Sequence, residues 1–378
     1  MKSATNKAIF IIILLIFSVS TGFFYFIAKA ERAIPETTLP EHKLAEMKYE
    51  TSAKTWQNTI TLGAIGDILI HDRVYMDAKT ETGYNFMPMF EEVKPLLQQP
   101  DVLLANQETI LGGTELGLSG YPTFNSPAEV GNALVDAGVD IVSTANNHAL
   151  DKGERGILSS ISHLEALGLP YVGYFKSAED QQTVRILEKE GIKLAYLAYT
   201  YGTNGIPIPS GKDYLVNIID REKMKQEIER AKQEADVIIM SLHWGKEYQR
   251  IPTKEQEDLA HFLVNEGVDI IFAHHPHVLQ KMEQIARPDG NFSLVVYSLG
   301  NFLSGQVGDY KDIGGMATVD VTKTVDQNGK NIALSNVKFY PTYVASQHAS
   351  HYRVIPLQNA QTEATFTEIM DHMTNDLP

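Results

Sequence analysis

Histidine, carboxylate and amide side chains recur directly after the apolar runs of this sequence, and these residue types bind metal ions and transfer protons. Each residue alone has an ordinary structural explanation: an aspartate can cap a turn, a histidine can lie in a core, and two asparagines can form a turn. Such explanations do not account for the repetition after one apolar run after another. The residues concerned are Asp67, His71, Asn106, Glu108, Asn146, Asn147, His148, Asp151, His243, Trp244, His274, His275, His277 and Asn301.

The donor types indicate a divalent metal ion. So many polar groups in one crevice would be costly to desolvate without a bound partner, and a metal ion is such a partner. Neutral imidazoles, carboxylates and an amide oxygen, in a chain without cysteine, favour Mn, Fe or Zn over copper(I). Calcium, in contrast, takes oxygen donors almost exclusively.

The donors are numerous enough for two ions that share one carboxylate. Two ions about 3.5–4 Å apart can hold a phosphoryl group between them and activate water near neutral pH. His275 and His277 are the most specific pair, because imidazoles on either side of Pro276 could face different ions if the chain turns there. The sequence therefore predicts a two-metal site and leaves the metal open among Mn, Fe and Zn.

Strand and helix patterns alternate along most of the chain, which predicts an α/β domain. Ligands of open α/β sheets lie at the carboxyl ends of strands, so the polar residues that end the predicted strands are expected to meet there. Ser126 with Glu129, and Thr253 with Gln256, are predicted capping boxes. The predicted strands are residues 60–69, 102–105, 141–144, 194–199, 237–242, 270–273 and 294–299, and the predicted helices are 86–98, 126–138, 154–167, 221–235 and 253–267.

The end of the sequence lacks this alternation. Residues 317–322 and 337–344 each alternate between apolar and polar side chains, and the Asp326-Gln-Asn-Gly329 segment between them is a hairpin signal. We therefore expect added antiparallel strands. Residues 346–378 form a polar C-terminal extension in which 362–373 has a helical pattern.

The N-terminus predicts a membrane anchor. Residues 8–28 contain no charged side chain and would span roughly 30 Å as a helix, the thickness of the hydrocarbon core of a bilayer. The alternative is a cleaved signal peptide, since Ala28-Lys29-Ala30 fits a small-x-small cleavage site. Either interpretation places the main domain outside the cytoplasm. Residues 1–30 are thus the anchor, and residues 31–58, which have no apolar period, are an extracytoplasmic stalk.

Charge and cysteine content exclude several classes of protein. The 378 residues include 47 Asp and Glu against 32 Lys and Arg, a net charge of −15. This balance argues against a broad basic face that binds nucleic acid or anionic lipid. The absence of cysteine excludes disulfide scaffolds, thiol catalysis and iron–sulfur clusters.

The order of these motifs resembles the poly-γ-glutamate capsule synthesis protein family, CapA/PgsA, over residues from about 59 to 345. The motifs are Gly66-Asp67, Asn106-x-Glu108, Ala145-Asn-Asn-His148, Ser241-Leu-His-Trp-Gly245, His274-His-Pro-His277 and Tyr297-Ser-Leu-Gly-Asn-Phe302. That family is similar to the calcineurin-like metallophosphatases. The resemblance implies a metallophosphatase-like α/β domain at 59–345, a two-sheet sandwich flanked by helices, behind an N-terminal transmembrane helix.

The resemblance also implies roles for individual residues. Asp67 and His277 would bind the first metal ion. Asn147, His243 and His275 would bind the second. Glu108 would bridge the two ions in place of the usual aspartate, and His148 would be the catalytic residue near the leaving group of the substrate. Residues that would support these ligands or contact substrate are His71, Asn146, Asp151, Trp244, His274 and Asn301.

This sequence departs from the metallophosphatase pattern at three positions. Leu69 stands where those enzymes have a histidine, and the bridging carboxylate Glu108 is one methylene longer than theirs. His274 replaces the glycine that precedes their His-x-His motif. These departures leave metal binding intact as an expectation and put phosphatase activity in question.

Two functions follow as expectations. The resemblance implies a membrane-anchored component of poly-γ-glutamate biosynthesis or export, whose partners are membrane-bound synthase subunits and the polymer. The alternative is an active metal-dependent hydrolase of phosphoesters or of the amide bonds of the polymer, and a third possibility is a binding module without turnover. Because the polymer and this chain are both negative, engagement would be local, at the metal centre or at Arg73, Arg155 and Lys246.

Overall fold

The computed structural model describes residues 55–287 and 290–377. The predicted anchor at 8–28 and most of the predicted stalk lie outside these residues. Within them, none of the helices has the length and apolar character needed to cross a membrane. The first strand begins at Trp56, inside the segment assigned to the stalk.

Fourteen strands and eight α-helices make up the described part of the chain. The strands are β1 (Trp56–Leu69), β2 (Val102–Gln107), β3 (Ile141–Ser143), β4 (Tyr171–Val172), β5 (Arg185–Lys189), β6 (Ile192–Thr200), β7 (Val237–His243), β8 (Ile270–His274), β9 (Leu279–Ala286), β10 (Phe292–Leu299), β11 (Asn301–Ser304), β12 (Ile313–Asp326), β13 (Gly329–Gln347) and β14 (Ser350–Pro356). The helices are α1 (Asp72–Asp77), α2 (Lys94–Leu97), α3 (Glu129–Ala137), α4 (Gly153–Leu167), α5 (Ala178–Gln182), α6 (Arg221–Glu234), α7 (Lys254–Asn265) and α8 (Glu363–Thr374).

The strands form two mixed sheets. The first has the order β14-β13-β12-β1-β2-β3-β4, with β11 also paired to β1. Strands β1 to β4 are parallel to one another, while β12, β13 and β14 add antiparallel strands beside β1. The second sheet has the order β5-β6-β7-β8-β10-β9, in which β6, β7, β8 and β10 are parallel. The expected two-sheet α/β fold is therefore confirmed.

The two sheets share one hydrophobic core, and helices cover the outer face of the second sheet. Ile239 and Ile270 belong to the core that also contains residues of the first sheet such as Ile65. Their neighbours Met240 and Ile271 instead join the cluster that contains residues of α6 and α7. This alternation follows from the two-residue period of a strand. Each large side chain so buried stabilises the fold by about 1.5–3 kcal/mol.

Two predictions about helices are wrong for identifiable reasons. The predicted helix at 86–98 is a 3₁₀ turn at Met87–Met89 followed by the short α2. Pro88 and Pro95 lack the backbone N–H that a continuous helix needs. The predicted capping box at Ser126 is absent, because α3 begins at Glu129 and the Ser126 hydroxyl donates to Thr109 Oγ1 at 2.7 Å.

Other sequence signals are confirmed. Gly138 ends α3 in a left-handed conformation, with φ of +106°, and Thr253 and Gln256 form the predicted capping box of α7. Asp326 pairs with Gly329 across the predicted hairpin. The C-terminal extension is an integral part of the fold, since β14 pairs with β13 and the helical pattern becomes α8.

A close backbone approach fixes the end of β1. A Cβ atom added to Gly66 would lie 2.0 Å from the carbonyl oxygen of Gly300. The next amide, that of Asp67, donates to the same oxygen at 2.8 Å. Beyond this point β1 pairs with β11 through Asp67 and Asn301. Glycine at position 66 therefore allows the crossing that holds Asp67 in place.

Replacing Gly66→Ala tests this approach. The methyl group forces the backbone of β1 away from Gly300, so we expect the free energy of unfolding to fall by about 1–3 kcal/mol. Urea denaturation monitored by tryptophan fluorescence measures the change. The matched control is Gly202→Ala, whose added Cβ meets nothing within 4 Å and which should stay within about 0.5 kcal/mol of the wild type. Equal losses in both variants would contradict the proposed approach.

Candidate metal centre

Five buried ligand residues meet where strands of both sheets end. Asp67 lies near the end of β1 and Glu108 directly follows β2. His243 ends β7, and His275 and His277 follow β8. All five side chains are buried. The carboxyl ends of parallel strands thus bring together residues that are up to 210 positions apart in the sequence.

Asp67, Glu108 and His277 form a first group of possible ligands. One ligand atom from each lies within 4.8 Å of those of the other two. His277 Nδ1 is 3.0 Å from Asp67 Oδ2, and His277 Nε2 is 3.7 Å from Glu108 Oε1. Asn106, the register partner of Asp67 on β2, donates to Asp67 Oδ1 at 2.7 Å and so fixes that carboxylate.

Glu108, His243 and His275 form a second group, again with ligand atoms within 4.8 Å of one another. His243 Nε2 lies 3.5 Å from Glu108 Oε1 and 2.9 Å from Asn147 Oδ1. The Asn147 amide oxygen is therefore beside this group. Glu108 belongs to both groups, which is the position that a bridging carboxylate would occupy.

The backbone turns sharply at the two histidines that follow β8. His275 has φ of +98° and His277 has φ of +59°, values that are uncommon for residues with a Cβ atom. Such conformations cost on the order of 1–3 kcal/mol each and are concentrated at functional sites. The turn expected from the His275-Pro276-His277 sequence is present, and each imidazole joins a different ligand group with Glu108.

Burial and charge set the protonation of the carboxylates. Burial raises the pKa of Glu108 well above its usual value, and the nearby Asp67 charge raises it further. Burial also acts to raise the pKa of Asp67, but the hydrogen bond and the charge of His277 lower it overall. Burial acts to lower the pKa of His277, yet the Glu108 and Asp67 carboxylates raise it to about 9. In the metal-free protein, protonated His277 therefore balances part of the carboxylate charge.

The other two imidazoles are neutral, as metal ligands must be. Burial, followed by the positive charge of neighbouring histidines, lowers the pKa of His243 well below its usual value. Burial likewise lowers the pKa of His275 to about 3. Both rings can therefore offer a nitrogen lone pair at neutral pH.

Unpartnered buried atoms show that the residues fit a metal ion. Within the described ranges, both oxygens of Glu108 and the Nδ1 atoms of His243 and His275 are buried without a hydrogen-bond partner. Buried polar atoms rarely lack a partner in folded proteins. The donor set of carboxylates, imidazoles and an amide oxygen is one that Mn, Fe or Zn accepts. The expected metal-binding chemistry is thus available at this position.

Hydrogen bonds fix the orientation of the His148 ring beside the ligand groups. Its Nδ1 lies 2.7 Å from Asp151 Oδ2, and the Asp151 side chain is buried. The same carboxylate oxygen accepts the Phe124 amide at 2.6 Å, while Asn146 Oδ1 accepts the His148 amide at 3.0 Å. These contacts occupy Nδ1 and leave Nε2 as the ring nitrogen for proton exchange.

Three of the supporting residues surround the centre in different ways. His71 packs against Phe124, which also contacts His148, so His71 lies on the same side of the centre as His148. His274 is fully buried with Nδ1 3.6 Å from Asp67 Oδ1, and burial lowers its pKa to about 4. Asn301 pairs with Asp67 and donates to the Lys311 carbonyl at 2.7 Å, which ties the following loop to the site.

Trp244 does not reach the centre. Its indole N–H donates to the Tyr297 carbonyl at 3.0 Å, and its ring stacks on that of Tyr297. Both residues belong to the hydrophobic cluster on the outer face of the second sheet. The alternation of side chains along a strand explains the error, because the residue after His243 points to the opposite face.

Sequence reasoning missed three residues at the solvent side of the centre. Glu247 offers a carboxylate oxygen within 4.8 Å of nitrogens of His275 and His277. Tyr201 packs against His275, with the ring planes tilted and the ring centroids 4.6 Å apart, and the ring centroid of Tyr248 is 6.1 Å from that of His277. Tyr201 directly follows β6, and this position was the signal that could have identified it. Glu247 and Tyr248 lie further beyond the end of β7, where the strand-end pattern gives no signal.

Comparison with known proteins gives a consistent family. The family model described as "Bacterial capsule synthesis protein PGA_cap" matches residues 61–306. The "PGA biosynthesis protein CapA" of Bacillus subtilis (strain 168) is 27% identical over 316 residues, covering 81% of this chain and 74% of that protein. The "Capsule biosynthesis protein CapA" of Bacillus anthracis is 28% identical over 255 residues, covering 65% of this chain. This chain spans 60% of the length of that relative.

Solved structures with a similar course of the chain include a nucleotidase and a purple acid phosphatase. NAD nucleotidase (NadN) from Haemophilus influenzae aligns with 85% of this chain and 63% of its own, at 12% identity and a TM-score of 0.46. Purple acid phosphatase PPD1 from yellow lupin (Lupinus luteus) seeds aligns with 73% of this chain and 53% of its own, at 9% identity and a TM-score of 0.35.

Replacing Glu108→Gln tests the carboxylate shared by both groups. Metal binding to the folded state stabilises a protein by about 2.7 kcal/mol when the free metal is 100 times Kd. We expect Mn²⁺ to raise the unfolding midpoint of the wild type and to have little effect on Glu108→Gln. The same comparison in EDTA measures the effect of the substitution without metal, and this effect is subtracted from the response to Mn²⁺.

The matched control is Glu227→Gln, which alters another buried carboxylate, on α6. It should keep the full response to Mn²⁺ in the same denaturation experiment. A response to Mn²⁺ that is as large in Glu108→Gln as in the wild type would contradict the shared-ligand geometry.

Proposed function

The chain belongs to the bacterial capsule synthesis protein family PGA_cap, and we propose on that basis that it is a membrane-anchored component of poly-γ-glutamate biosynthesis or export. The uncharged run at residues 8–28 supports a single membrane-spanning anchor with the folded domain outside the cytoplasm. Its partners would be membrane-bound poly-γ-glutamate synthase subunits and the polymer itself. The two Bacillus relatives, a capsule biosynthesis protein and a PGA biosynthesis protein, support this assignment.

The proposal includes a two-metal centre of the kind found in calcineurin-like metallophosphatases. Asp67 and His277 would hold one ion, and Asn147, His243 and His275 would hold the other, with Glu108 shared. The single observation that carries this proposal is the Glu108 carboxylate, which is buried with no hydrogen-bond partner among the described residues and belongs to both ligand groups. The donor types are compatible with Mn, Fe or Zn.

The chemistry of such a centre divides between the ions and the protein. When bound, two divalent ions polarise a phosphoryl or carbonyl oxygen and lower the pKa of water. The Asp151 carboxylate orients the His148 ring through Nδ1, so that Nε2 can give a proton to a leaving group. Asn146 fixes the backbone of His148 and thereby the position of that ring.

The second candidate function is therefore hydrolysis of phosphoesters or of the amide bonds of the polymer. The buried His148–Asp151 pair favours it, because a binding site without turnover has no need of an oriented proton donor. The two functions are compatible, since polymer assembly or release can require a hydrolytic step.

Charge restricts how a polyanion can approach. The chain carries a net charge of −15, so long-range attraction cannot bring poly-γ-glutamate to it. Arg73 and Lys246 are exposed next to residues of the centre, His71 and Glu247. Arg155 instead lines a groove of about 570 Å³ with Glu115 and His163, on the surface of α4. Local contacts at the centre would thus have to hold the polymer.

Complementation tests whether the metal centre serves polymer synthesis. In a poly-γ-glutamate-producing laboratory host that lacks its own homologue, the wild-type chain should restore polymer. His277→Ala and Glu108→Ala should not, because each removes a ligand. Polymer yield and membrane-fraction protein level are measured together. Full restoration by both variants at normal protein level would make the metal centre irrelevant to this function.

Assays on the purified full-length chain test the hydrolase function. With Mn²⁺ present, we expect hydrolysis of a model phosphodiester, and His148→Ala should lower kcat by roughly 10²-fold with unchanged metal content. Asp151→Asn should also lower kcat, since the ring of His148 loses its orientation. His163→Ala, on the surface of α4, is the control. Absence of turnover on phosphodiesters and poly-γ-glutamate, with metal bound, would exclude catalysis of either reaction.

A further inference from the structure

Three exposed side chains, those of Tyr201, Glu247 and Tyr248, lie beside the ligand histidines, and we call them the entrance. Tyr201 is 45% exposed and Tyr248 is 49% exposed, although the ring of Tyr201 packs against buried His275 and the ring of Tyr248 lies beside buried His277. The Glu247 carboxylate lies between these imidazoles, within 4.8 Å of a nitrogen of each. An exposed carboxylate thus reaches histidines that belong to two different ligand groups.

Backbone contacts hold Glu247 at this position. The chain turns at Gly245, with φ of +86°, and at Tyr248, with φ of +64°. The Tyr248 amide donates to the carbonyl of Pro276 at 2.7 Å, and Pro276 separates the two histidines. Gln306 Nε2 donates to the Tyr248 hydroxyl at 3.2 Å. The segment that carries Glu247 is therefore fastened to the segment that carries the ligands.

The charge at the centre leaves a place for another anion. Asp67 and Glu108 are the buried carboxylates of the two ligand groups, and together they neutralise only part of the charge of two divalent ions. Hard divalent cations take further carboxylate oxygens where these are within reach. Glu247 is the acidic residue at the solvent side, where an incoming substrate would also bind.

We propose that Glu247 is an exchangeable carboxylate ligand, which binds the centre through its solvent side together with His275 and His277 and leaves when an anionic substrate group enters. This assignment rests on the proposed function, because it requires that the centre hold metal ions. It adds to that function a residue that controls which anions gain access.

As an exchangeable ligand, the Glu247 carboxylate would compete with incoming anions for the metal ions. A tethered carboxylate competes with incoming ligands at an effective concentration in the millimolar range or above. The free α-carboxylates of poly-γ-glutamate are of the same chemical kind as the Glu247 carboxylate and gain no advantage over it. A phosphate monoester carries more charge and more free oxygen donors than a carboxylate, so it displaces Glu247 more readily. A phosphate monoester is therefore the class of anion best suited to replace Glu247 at the centre.

Titration of the full-length protein in detergent with Mn²⁺ by calorimetry tests the assignment. Glu247→Gln should weaken binding of at least one ion by roughly 10-fold, as loss of a supporting ligand does. Glu247→Asp should lie between the two. The matched control is Glu234→Gln, which changes an exposed carboxylate at the end of α6. Glu234 lies before the first residue of β7, whereas the ligand His243 is the last residue of that strand. The affinity of this variant for Mn²⁺ should equal that of the wild type.

Anion titrations of the Mn²⁺-loaded proteins complete the test, with inorganic phosphate and acetate as probes. Phosphate should bind to wild type and to Glu247→Gln, whereas acetate should bind measurably only to Glu247→Gln. Bound Mn²⁺ with unchanged affinity in Glu247→Gln overturns the assignment of Glu247 alone, and so does acetate binding that is equal in all proteins. Absence of Mn²⁺ binding by the wild type overturns the metal centre and this assignment together.

Discussion

A carboxylate buried without a hydrogen-bond partner is the constraint on which this structure depends. Glu108 is fully buried, and neither of its oxygens has a hydrogen-bond partner among the described residues. Removing a charged carboxylate from water costs several kcal/mol unless a cation or hydrogen-bond donors replace the solvent. The metal-free protein offsets part of this cost through protonated His277, and Glu108 itself has a raised pKa. Two metal ions would offset it fully.

The fold supplies the geometry that this constraint needs. Strands from two sheets end at the same place, so that Glu108 from the first sheet meets His243 and His275 from the second. Strained left-handed conformations at His275 and His277 aim neighbouring imidazoles at different groups. Hydrophobic burial between the sheets provides the free energy that sustains these local strains. The centre is thus built from the core outward.

Much of the fold and most of the centre could be predicted from sequence. Apolar runs identified the central strands, and the polar residues after them identified the ligands, because parallel strands place their carboxyl ends together. Tertiary contacts decided the remaining cases. Ser126 bonds to Thr109 instead of capping a helix, and Pro95 interrupts a helical pattern. Glu247 escaped notice because its approach depends on two left-handed residues, which no periodicity reveals.

If metal ions take part in polymer synthesis, the metal centre explains how a member of the capsule synthesis family acts. The most direct measurement is anomalous diffraction at the manganese edge from crystals soaked in Mn²⁺. We expect two peaks, one on each side of the Glu108 carboxylate, with one next to Asp67 and His277 and the other next to His243 and His275. A map with no peak within coordination distance of Glu108, from crystals that diffract well in saturating Mn²⁺, would contradict it.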